Sequence, residues 1–326
     1  MCDSLSWLSV YLYYGEPLED LLTNALMPFV ADTRARGLVN QFFFIRYWER
    51  GPHIRLRLKG QTAIIERILK PQLESFFCTY FREYPSKRKD VPVHTIQPSE
   101  QLLPNNSLQF LPYEPELERY GGPTGTEIAE IQFQLSSQTV LQIIGESHCW
   151  GYDRALGSAL QLHLGFSFAL GMSLVQARQF YSYISRNQIY PITIPARSHP
   201  NKAMPQVQIQ ELYESKFRDQ EHRIVPYLGS LWNAFNNKAE FEHVWLNEWV
   251  SQMFEIAEQF SDARIHGRLL LPPDFGSDFA THVPSVQRSM WPILQSLVHM
   301  TNNRLGVFNQ DEGYLSYLMQ RALEYL

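Results

Sequence analysis

In the first third of the chain, segments with a strand-like hydrophobic pattern are interspersed with segments that have the helical period. Strand-like composition or alternation marks 7–14, 41–47, 53–58 and 108–113, and apolar residues recur at helical spacing over 16–31 and 61–82. Strand side chains alternate between two faces, whereas helical side chains return to one face every three to four residues. The predicted order is therefore β-α-β-β-α-β, a ferredoxin-like plan of the α+β class.

From Gly121-Gly122-Pro123 onward only the helical period remains. The predicted helices are 126–144, 154–170, 173–186, 206–216, 224–236, 240–260, 286–302 and 311–326, with Thr126 as a candidate N-cap. Loops are predicted at 84–106, 190–205 and 264–277, and the first is either a solvated insertion or a substrate-contacting loop. We predict an α+β lobe of residues 1–122 packed on a larger all-helical lobe of residues 123–326, together one unit.

Composition narrows the class of protein. Of 326 residues, 44% are hydrophobic and 19% charged, as in folded proteins, and the net charge of −5 leaves no overall electrostatic footprint for nucleic acid. Cys2, Cys78 and Cys149 are widely spaced and odd in number, which favours a reducing cytoplasm and argues against a disulfide framework or a structural zinc site. The N-terminus lacks a signal-peptide pattern, and polar residues interrupt the most apolar run, 159–175, so no membrane span is expected.

The segment His53–Leu58 alternates strictly between polar and apolar residues. As a strand, it places His53, Arg55 and Arg57 on one face, and a turn at 49–52 pairs it with 41–47. Such a polar face often only meets water. This one carries no carboxylate, however, and the planar guanidinium suits carboxylate binding, so it is also a candidate anion site.

Two further clusters have chemical potential. The turn Glu116–Gly122 contains Arg119 and Tyr120 ahead of paired glycines, which permit close backbone approach. The helical segment 299–305 places His299 and Asn303 on one face. Phosphate-loop, dinucleotide-binding and H-E-x-x-H motifs are absent from the sequence, so a bound nucleotide is not indicated.

Together these segments resemble the elimination domain of class I lanthipeptide dehydratases, which also occurs as separate small proteins of split dehydratases and thiopeptide pathways. The matching segments are Trp7–Tyr14, Phe43–Tyr47 with Pro52–Arg57, Glu116-x-Glu118-Arg119-Tyr120-Gly121-Gly122, and His299-Met300-x-x-Asn303-Arg304-Leu305. Where the family has an Asp-Ser pair downstream of the turn, this chain has Ser136-Ser137.

The resemblance implies a lyase that eliminates glutamate from glutamylated Ser or Thr of a ribosomal precursor peptide, leaving dehydroalanine or dehydrobutyrine. By position, the catalytic residues would be Arg55, Arg57, Arg119 and His299, and the substrate-binding residues Arg46, His53, Tyr120, Asn303 and Arg304. We expect the arginine-bearing face to meet an open cavity that Arg119 and His299 also line. No metal or organic cofactor is expected. A separate protein would glutamylate the peptide from glutamyl-tRNA, so direct tRNA binding is not expected here.

Two other functions fit the same pattern. Pyridine synthases of thiopeptide pathways share the fold; they join two dehydroalanines in a formal [4+2] cycloaddition and then release the leader peptide and water. They tend to depart from the arginine and histidine set found here, which favours elimination. A non-catalytic partner that binds the precursor peptide is the third alternative. Loss of turnover with retained peptide binding on mutation of Arg55 or His299 would indicate an enzyme.

Overall fold

The computed structural model describes residues 4–88, 101–188, 206–271 and 289–326. The chain divides into two compact units. Unit 1 comprises Met1–Glu116 and Glu130–Cys149, and unit 2 comprises Leu117–Ala129 and Trp150–Leu326. The predicted boundary after residue 122 stays a prediction.

Unit 1 contains a four-stranded antiparallel sheet. Its strands are β1 (Leu5–Tyr13), β2 (Gln41–Tyr47), β3 (His53–Gln61) and β4 (Ser107–Phe110). The spatial order is β2-β3-β1-β4, the order of a ferredoxin-like sheet. The predicted α+β class is therefore confirmed. β2 has the predicted bounds, whereas β4 ends three residues earlier than predicted because only Ser107–Phe110 pair with β1.

Two helices of unit 1 share an unusual construction. Helix α1 comprises α-helical Leu18–Leu21, π-helical Leu22–Leu26 and α-helical Met27–Ala35; helix α2 comprises Thr62–Ile64, π-helical Ile65–Leu69 and Lys70–Glu83. In each helix a proline, Pro28 or Pro71, follows the π-helical stretch by two residues. Proline has no N–H and crowds the carbonyl four residues earlier, so regular α-helical bonding is interrupted there. A wider turn ahead of Pro28 and Pro71 thus keeps each helix continuous.

The sheet has two different faces. Directly opposed residues of an antiparallel pair project to the same side. The register joins Tyr11 to Arg55, and both Tyr13 and Tyr47 to His53, so these tyrosines lie on the face of the polar β3 residues. The opposite face carries the buried apolar residues Leu8, Val10, Leu12, Phe42, Phe44, Ile54, Leu56 and Leu58. The predicted separation of polar and apolar β3 residues is confirmed by this register.

Helix α3 (Gly122–Glu146) protects one edge of the sheet. Its residues from Glu130 onward belong to unit 1. The backbone N–H groups of Phe42 and Phe44 on β2 donate to the side chains of Gln134 and Ser137, both at 3.2 Å. Ser137 therefore satisfies a backbone N–H group at a strand edge that would otherwise be open to pairing.

Unit 2 is helical in the part that the structure describes. Its helices are α4 (Tyr152–Ala169), α5 (Leu174–Asn187), α6 (Gln206–Asn236), α7 (Val244–Ile265), α8 (Trp291–Leu305) and α9 (Asn309–Ala322). Among the described residues, none of the helices combines the length and the hydropathy that a membrane crossing requires. The loop predicted at 190–205 and the helix start predicted at Val286 lie outside the described residues.

Two predictions about helix ends are wrong. Residues 206–216 and 224–236 form one helix, although Pro226 lies inside it. Pro226 is exposed, whereas Phe217 and Leu228 on either side of it are fully buried, and this packing outweighs the cost of about 3 kcal/mol for a helical proline. Thr126 is not an N-cap, because the helix begins at Gly122 and the Thr126 hydroxyl donates to the Gly122 carbonyl.

Candidate functional site

His53 is a buried, neutral part of the polar face in unit 1. It is 1% exposed, and its ring stacks on Tyr11 at 5.1 Å and lies 4.6 Å from Tyr13. Burial, the largest cause, lowers its pKa to about 4, and the neighbouring arginine charges act in the same direction. The neutral ring can donate from Nδ1 to the Gly51 carbonyl at 2.9 Å and accept at Nε2 from Arg55 Nε at 3.2 Å. His53 therefore orients Arg55 by a hydrogen bond and, being neutral, does not repel its positive charge.

Arg55 is held between two aromatic rings. Its guanidinium carbon lies 3.3 Å from the Tyr47 ring centroid and 4.6 Å from that of Tyr11. Nη2 forms an ion pair with Glu49 at 3.2 Å, and half of the Glu49 side chain is exposed. Exposed ion pairs contribute about 0–1 kcal/mol, so another carboxylate could replace Glu49 at little cost. The two rings thus fix the position of the Arg55 guanidinium, while its carboxylate partner can be exchanged.

Arg57 is a buried cation without a carboxylate partner among the described residues. It is 4% exposed, with its guanidinium carbon 5.1 Å from the Tyr11 ring centroid and 5.5 Å from that of Tyr113. Burial lowers its pKa, yet arginine stays charged at neutral pH. Its Nε and the hydroxyl of Ser9, its partner in the register, are buried without a hydrogen-bond partner in the described part of the chain. Buried charges are normally paired, so this position favours an anionic ligand.

Arg46 lies on the other face of the sheet. It pairs in register with Ile54, not with a polar residue of β3, and it is 3% exposed. Its Nη1 forms an ion pair of 2.6 Å with Glu19 of α1. The structure therefore does not bring Arg46 together with Arg55 and Arg57.

The expectation that His53, Arg55 and Arg57 meet an open cavity stays a prediction, and the three side chains differ in exposure. His53 and Arg57 are buried, and the side chain of Arg55 retains 18% exposure. The cause is aromatic cover from neighbouring strands, chiefly Tyr11 and Tyr47. The sequence carried a signal for it, because Tyr11 and Tyr13 alternate along β1 and must share one face.

Unit 2 places Arg119 on a turn that only glycine permits. Gly121 and Gly122 have φ of +85° and +86°, and the Gly121 carbonyl accepts from the Leu270 N–H at 2.8 Å. A Cβ on Gly122 would lie 2.9 Å from the Leu270 side chain, and one on Gly121 would lie 2.8 Å from Ile293 Cδ1. The turn delivers Arg119 to helix α8, where its Nε donates to Ser296 Oγ at 3.2 Å.

His299 lies one turn further along the same helix. Residues three apart are neighbours on a helix surface, so Ser296 connects Arg119 to the surroundings of His299. The Nδ1 of His299 lies 2.9 and 3.0 Å from the two carboxylate oxygens of Glu312 on α9. The side chain of His299 is 20% exposed and that of Glu312 is 0% exposed. The structure thus brings two of the predicted catalytic residues to one helix and adds a carboxylate that the sequence did not indicate.

Three other predicted residues lie inside unit 2. Tyr120 is 4% exposed, Asn303 is 9% exposed and Arg304 is fully buried. Arg304 donates from Nη1 to the Met300 carbonyl at 2.8 Å, which is a structural contact within α8. Their substrate-binding roles stay predictions, as does the expectation that Arg119 and His299 line one cavity with the arginines of β3. Within the described residues no group of three or more metal-ligating side chains is present.

The sequence-family model for the C-terminal domain of lantibiotic biosynthesis dehydratases matches residues 7–323 of this chain. The chain therefore belongs to the lantibiotic dehydratase C-terminal family.

Known relatives extend this comparison. Pyridine synthase TbtD from thiomuracin biosynthesis has a TM-score of 0.75 and 17% identity, with 98% of both chains covered. TsrL has a TM-score of 0.66 and 15% identity over 99% of this chain and 95% of its own. The tRNA-dependent lantibiotic dehydratase MibB from Microbispora sp. 107891 has a TM-score of 0.58 and 18% identity over all of this chain and 28% of MibB. At these identities the likeness shows the fold.

A curated relative matches over a shorter stretch. Epidermin biosynthesis protein EpiB from Staphylococcus epidermidis is 24% identical over 139 residues, which cover 42% of this chain. The match spans 12% of the length of EpiB.

Proposed function

We propose that this chain is a lyase that eliminates glutamate from glutamylated Ser or Thr residues of a ribosomal precursor peptide. The observation that carries the proposal is Arg57, a buried guanidinium with no carboxylate partner among the described residues. Beside it, Arg55 is stacked on tyrosines and paired only with a half-exposed glutamate. A substrate that carries a carboxylate and develops negative charge would complete this cationic site.

The reaction needs both a base and fixed cations. A base removes the proton from Cα of the esterified residue, the C–H electrons form the Cα–Cβ double bond, and the Cβ–O bond breaks. Glutamate departs with that oxygen in its carboxylate, and dehydroalanine or dehydrobutyrine remains. Negative charge develops on the peptide carbonyl and on the leaving group. One preorganised donor aimed at such charge lowers the barrier by about 3 kcal/mol.

Each catalytic residue has a proposed role. Arg55 and Arg57 hold the glutamate and the developing enolate, and Arg119 completes the anion site. His299 handles the proton, since imidazole exchanges protons near neutral pH. A separate glutamyl-tRNA-dependent protein would supply the glutamylated peptide in the cytoplasm, and no cofactor is required of this chain.

Elimination is tested by peptide mass after incubation with a pre-glutamylated precursor peptide. We expect the wild-type protein to release free glutamate and leave a dehydro residue. Arg55→Lys should slow the reaction about tenfold or more, because lysine keeps the charge but loses the planar stack, worth about 1–2 kcal/mol. His299→Ala should leave the glutamyl adduct intact. The matched control is Arg82→Lys, since Arg82 is exposed on α2 and donates to Thr79 of the same helix.

Pyridine synthesis is the second candidate. It is favoured by the likeness to TbtD, which extends over 98% of both chains. The same assay with a dehydrated peptide distinguishes the two, because a macrocycle with released leader would establish the synthase. An unchanged glutamyl adduct with the wild-type protein would reject elimination. Peptide binding without conversion of either substrate would indicate a non-catalytic partner.

A further inference from the structure

Glu312 is a buried carboxylate with an organised set of donors. Its side chain is fully buried on the first turn of α9. The Nε2 of Gln188 donates to Oε2 at 2.6 Å, and both carboxylate oxygens lie within 3.0 Å of His299 Nδ1. Burial raises the pKa of Glu312, whereas the contacts with His299 and Gln188 act in the opposite direction. A carboxyl group in this position is costly for the fold unless its partners are retained.

The backbone around Glu312 is adapted to this contact. Gly313, the next residue of α9, faces the carbonyl of Gln188 so closely that a Cβ would lie 2.8 Å from that oxygen. The missing side chain therefore allows the end of α5 to approach and Gln188 to reach the carboxylate. Such close approach of two backbones is a position where glycine is required.

The contact also fixes which nitrogen of His299 carries the proton. An ionised carboxylate can only accept from an N–H, so beside ionised Glu312 the neutral ring holds its proton on Nδ1 and leaves Nε2 as the proton acceptor. Among the described residues Nε2 has no hydrogen-bond partner, and the ring is the partly exposed member of the pair. In serine proteases, too, a carboxylate accepts from Nδ1–H of the histidine and leaves Nε2 to accept the proton.

We propose that Glu312 is a positioning residue for His299: it holds the imidazole in the Nδ1–H tautomer and leaves Nε2 to exchange the proton of the reaction. This inference rests on the proposed function for its kinetic consequences, but the tautomer is a property of the protein alone. Gln188 supports the arrangement by occupying the other carboxylate oxygen. In this assignment His299 acts through Nε2 as the base toward Cα.

Glu312→Gln is the informative substitution. Gln188 Nε2 still requires an acceptor, so the new amide should turn its oxygen to Gln188 and its NH₂ group to His299 Nδ1. The ring must then accept at Nδ1, and its proton moves to Nε2. Two-dimensional ¹⁵N–¹H spectra of the imidazoles, with His299 assigned from His299→Ala, measure this tautomer without any substrate. The kcat and KM for the glutamylated peptide are measured on the same proteins.

A neighbouring acid provides the control. Asp311 precedes Glu312 in α9, but its carboxylate accepts from the Tyr152 hydroxyl. Asp311→Asn therefore removes the same charge from the same helical turn without contacting His299. We expect Asp311→Asn to keep the wild-type tautomer and kcat, and Glu312→Gln to reverse the tautomer and lower kcat about 100-fold or more at similar KM. Glu312→Asp should keep the tautomer with an intermediate kcat.

The outcomes separate the two proposals. If the wild-type protein converts no glutamylated peptide, the proposed reaction fails, and the tautomer measurement alone decides the role of Glu312. A wild-type tautomer in Glu312→Gln, or an unchanged kcat in an active enzyme, would overturn the positioning role. If Glu312→Gln does not fold, Glu312→Asp decides, because an Nε2–H tautomer in that variant together with an unchanged kcat would also overturn the positioning role.

Discussion

At the scale of single residues, burial sets the charge of two histidines. His53 in unit 1 is 1% exposed and His163 in unit 2 is 2% exposed, and burial lowers the pKa of each to about 4. His163 Nε2 forms a hydrogen bond of 2.7 Å with Asn302, and His53 bonds Gly51 and Arg55. Both rings are therefore neutral at pH 7 and serve as hydrogen-bonding elements of the interior.

The sign of the pH effect follows from these pKa values. Between about pH 4 and pH 6.5 these histidines are protonated in the unfolded chain but neutral in the folded protein. The free energy of unfolding is therefore highest above pH 6.5 and decreases as the pH falls. Replacing His53 with Gln should remove about 2 kcal/mol of the stability lost between pH 7 and pH 5. The urea midpoint measured at both pH values tests this. His148→Gln, at an exposed histidine of unit 1, is the control. If His53→Gln lost as much stability between pH 7 and pH 5 as the wild-type protein, the prediction would be contradicted.

The sequence predicted which side chains share a face of the sheet better than it predicted how deeply those side chains are buried. The alternation of β3 places His53, Arg55 and Arg57 on one face, as the register shows. Their burial could not be predicted from that strand alone, because the covering rings of Tyr11 and Tyr47 come from its two neighbours. Glu312 was missed for a related reason: a glutamate on the first turn of a helix normally serves the helix dipole. Only the packing of α9 against α8 turns it toward His299.

At the scale of elements, the Arg119 turn depends on its glycines. Gly122 and Gly171 both have positive φ, but a Cβ on Gly122 meets Leu270 at 2.9 Å, whereas one on Gly171 meets nothing within 4 Å. Alanine at Gly171 should therefore cost only the backbone term of about 1 kcal/mol. Alanine at Gly122 should cost more and also lower activity, since the turn carries Arg119. Equal losses in urea unfolding, with equal activity, would show that steric contact at the turn does not matter.

The elements that were predicted well are those with strong local periodicity. β2 has its predicted bounds, and α5 begins after Ser173, whose hydroxyl accepts from the Gln176 N–H in a capping box. The break predicted between residues 216 and 224 does not occur, because the buried residues Phe217 and Leu228 continue the packed face of α6 through it. Local sequence signals define where a helix is weak, and tertiary packing decides whether it ends there.

At the scale of the whole molecule, the chain corresponds to one part of larger relatives. It covers 28% of MibB and nearly all of TbtD. The fold therefore occurs both within a long dehydratase and as most of a separate synthase, and fold alone does not select the reaction. We propose that the arginines of unit 1, together with Arg119, His299 and Glu312 of unit 2, select the reaction.

Charge at the molecular scale argues against direct tRNA binding. Affinity for nucleic acid comes mainly from Lys and Arg that neutralise phosphates, and the chain has a net charge of −5. The two arginines of β3 are poorly suited to a phosphate backbone, because Arg57 is 4% exposed and Arg55 is stacked between tyrosines. We expect labelled glutamate tRNA to bind this chain with a Kd weaker than about 10⁻⁴ M in about 0.15 M salt, as measured by fluorescence anisotropy. A labelled glutamylated precursor peptide is the positive control. A Kd for tRNA below about 10⁻⁶ M would contradict the prediction and would mean that the chain itself recruits the glutamyl donor.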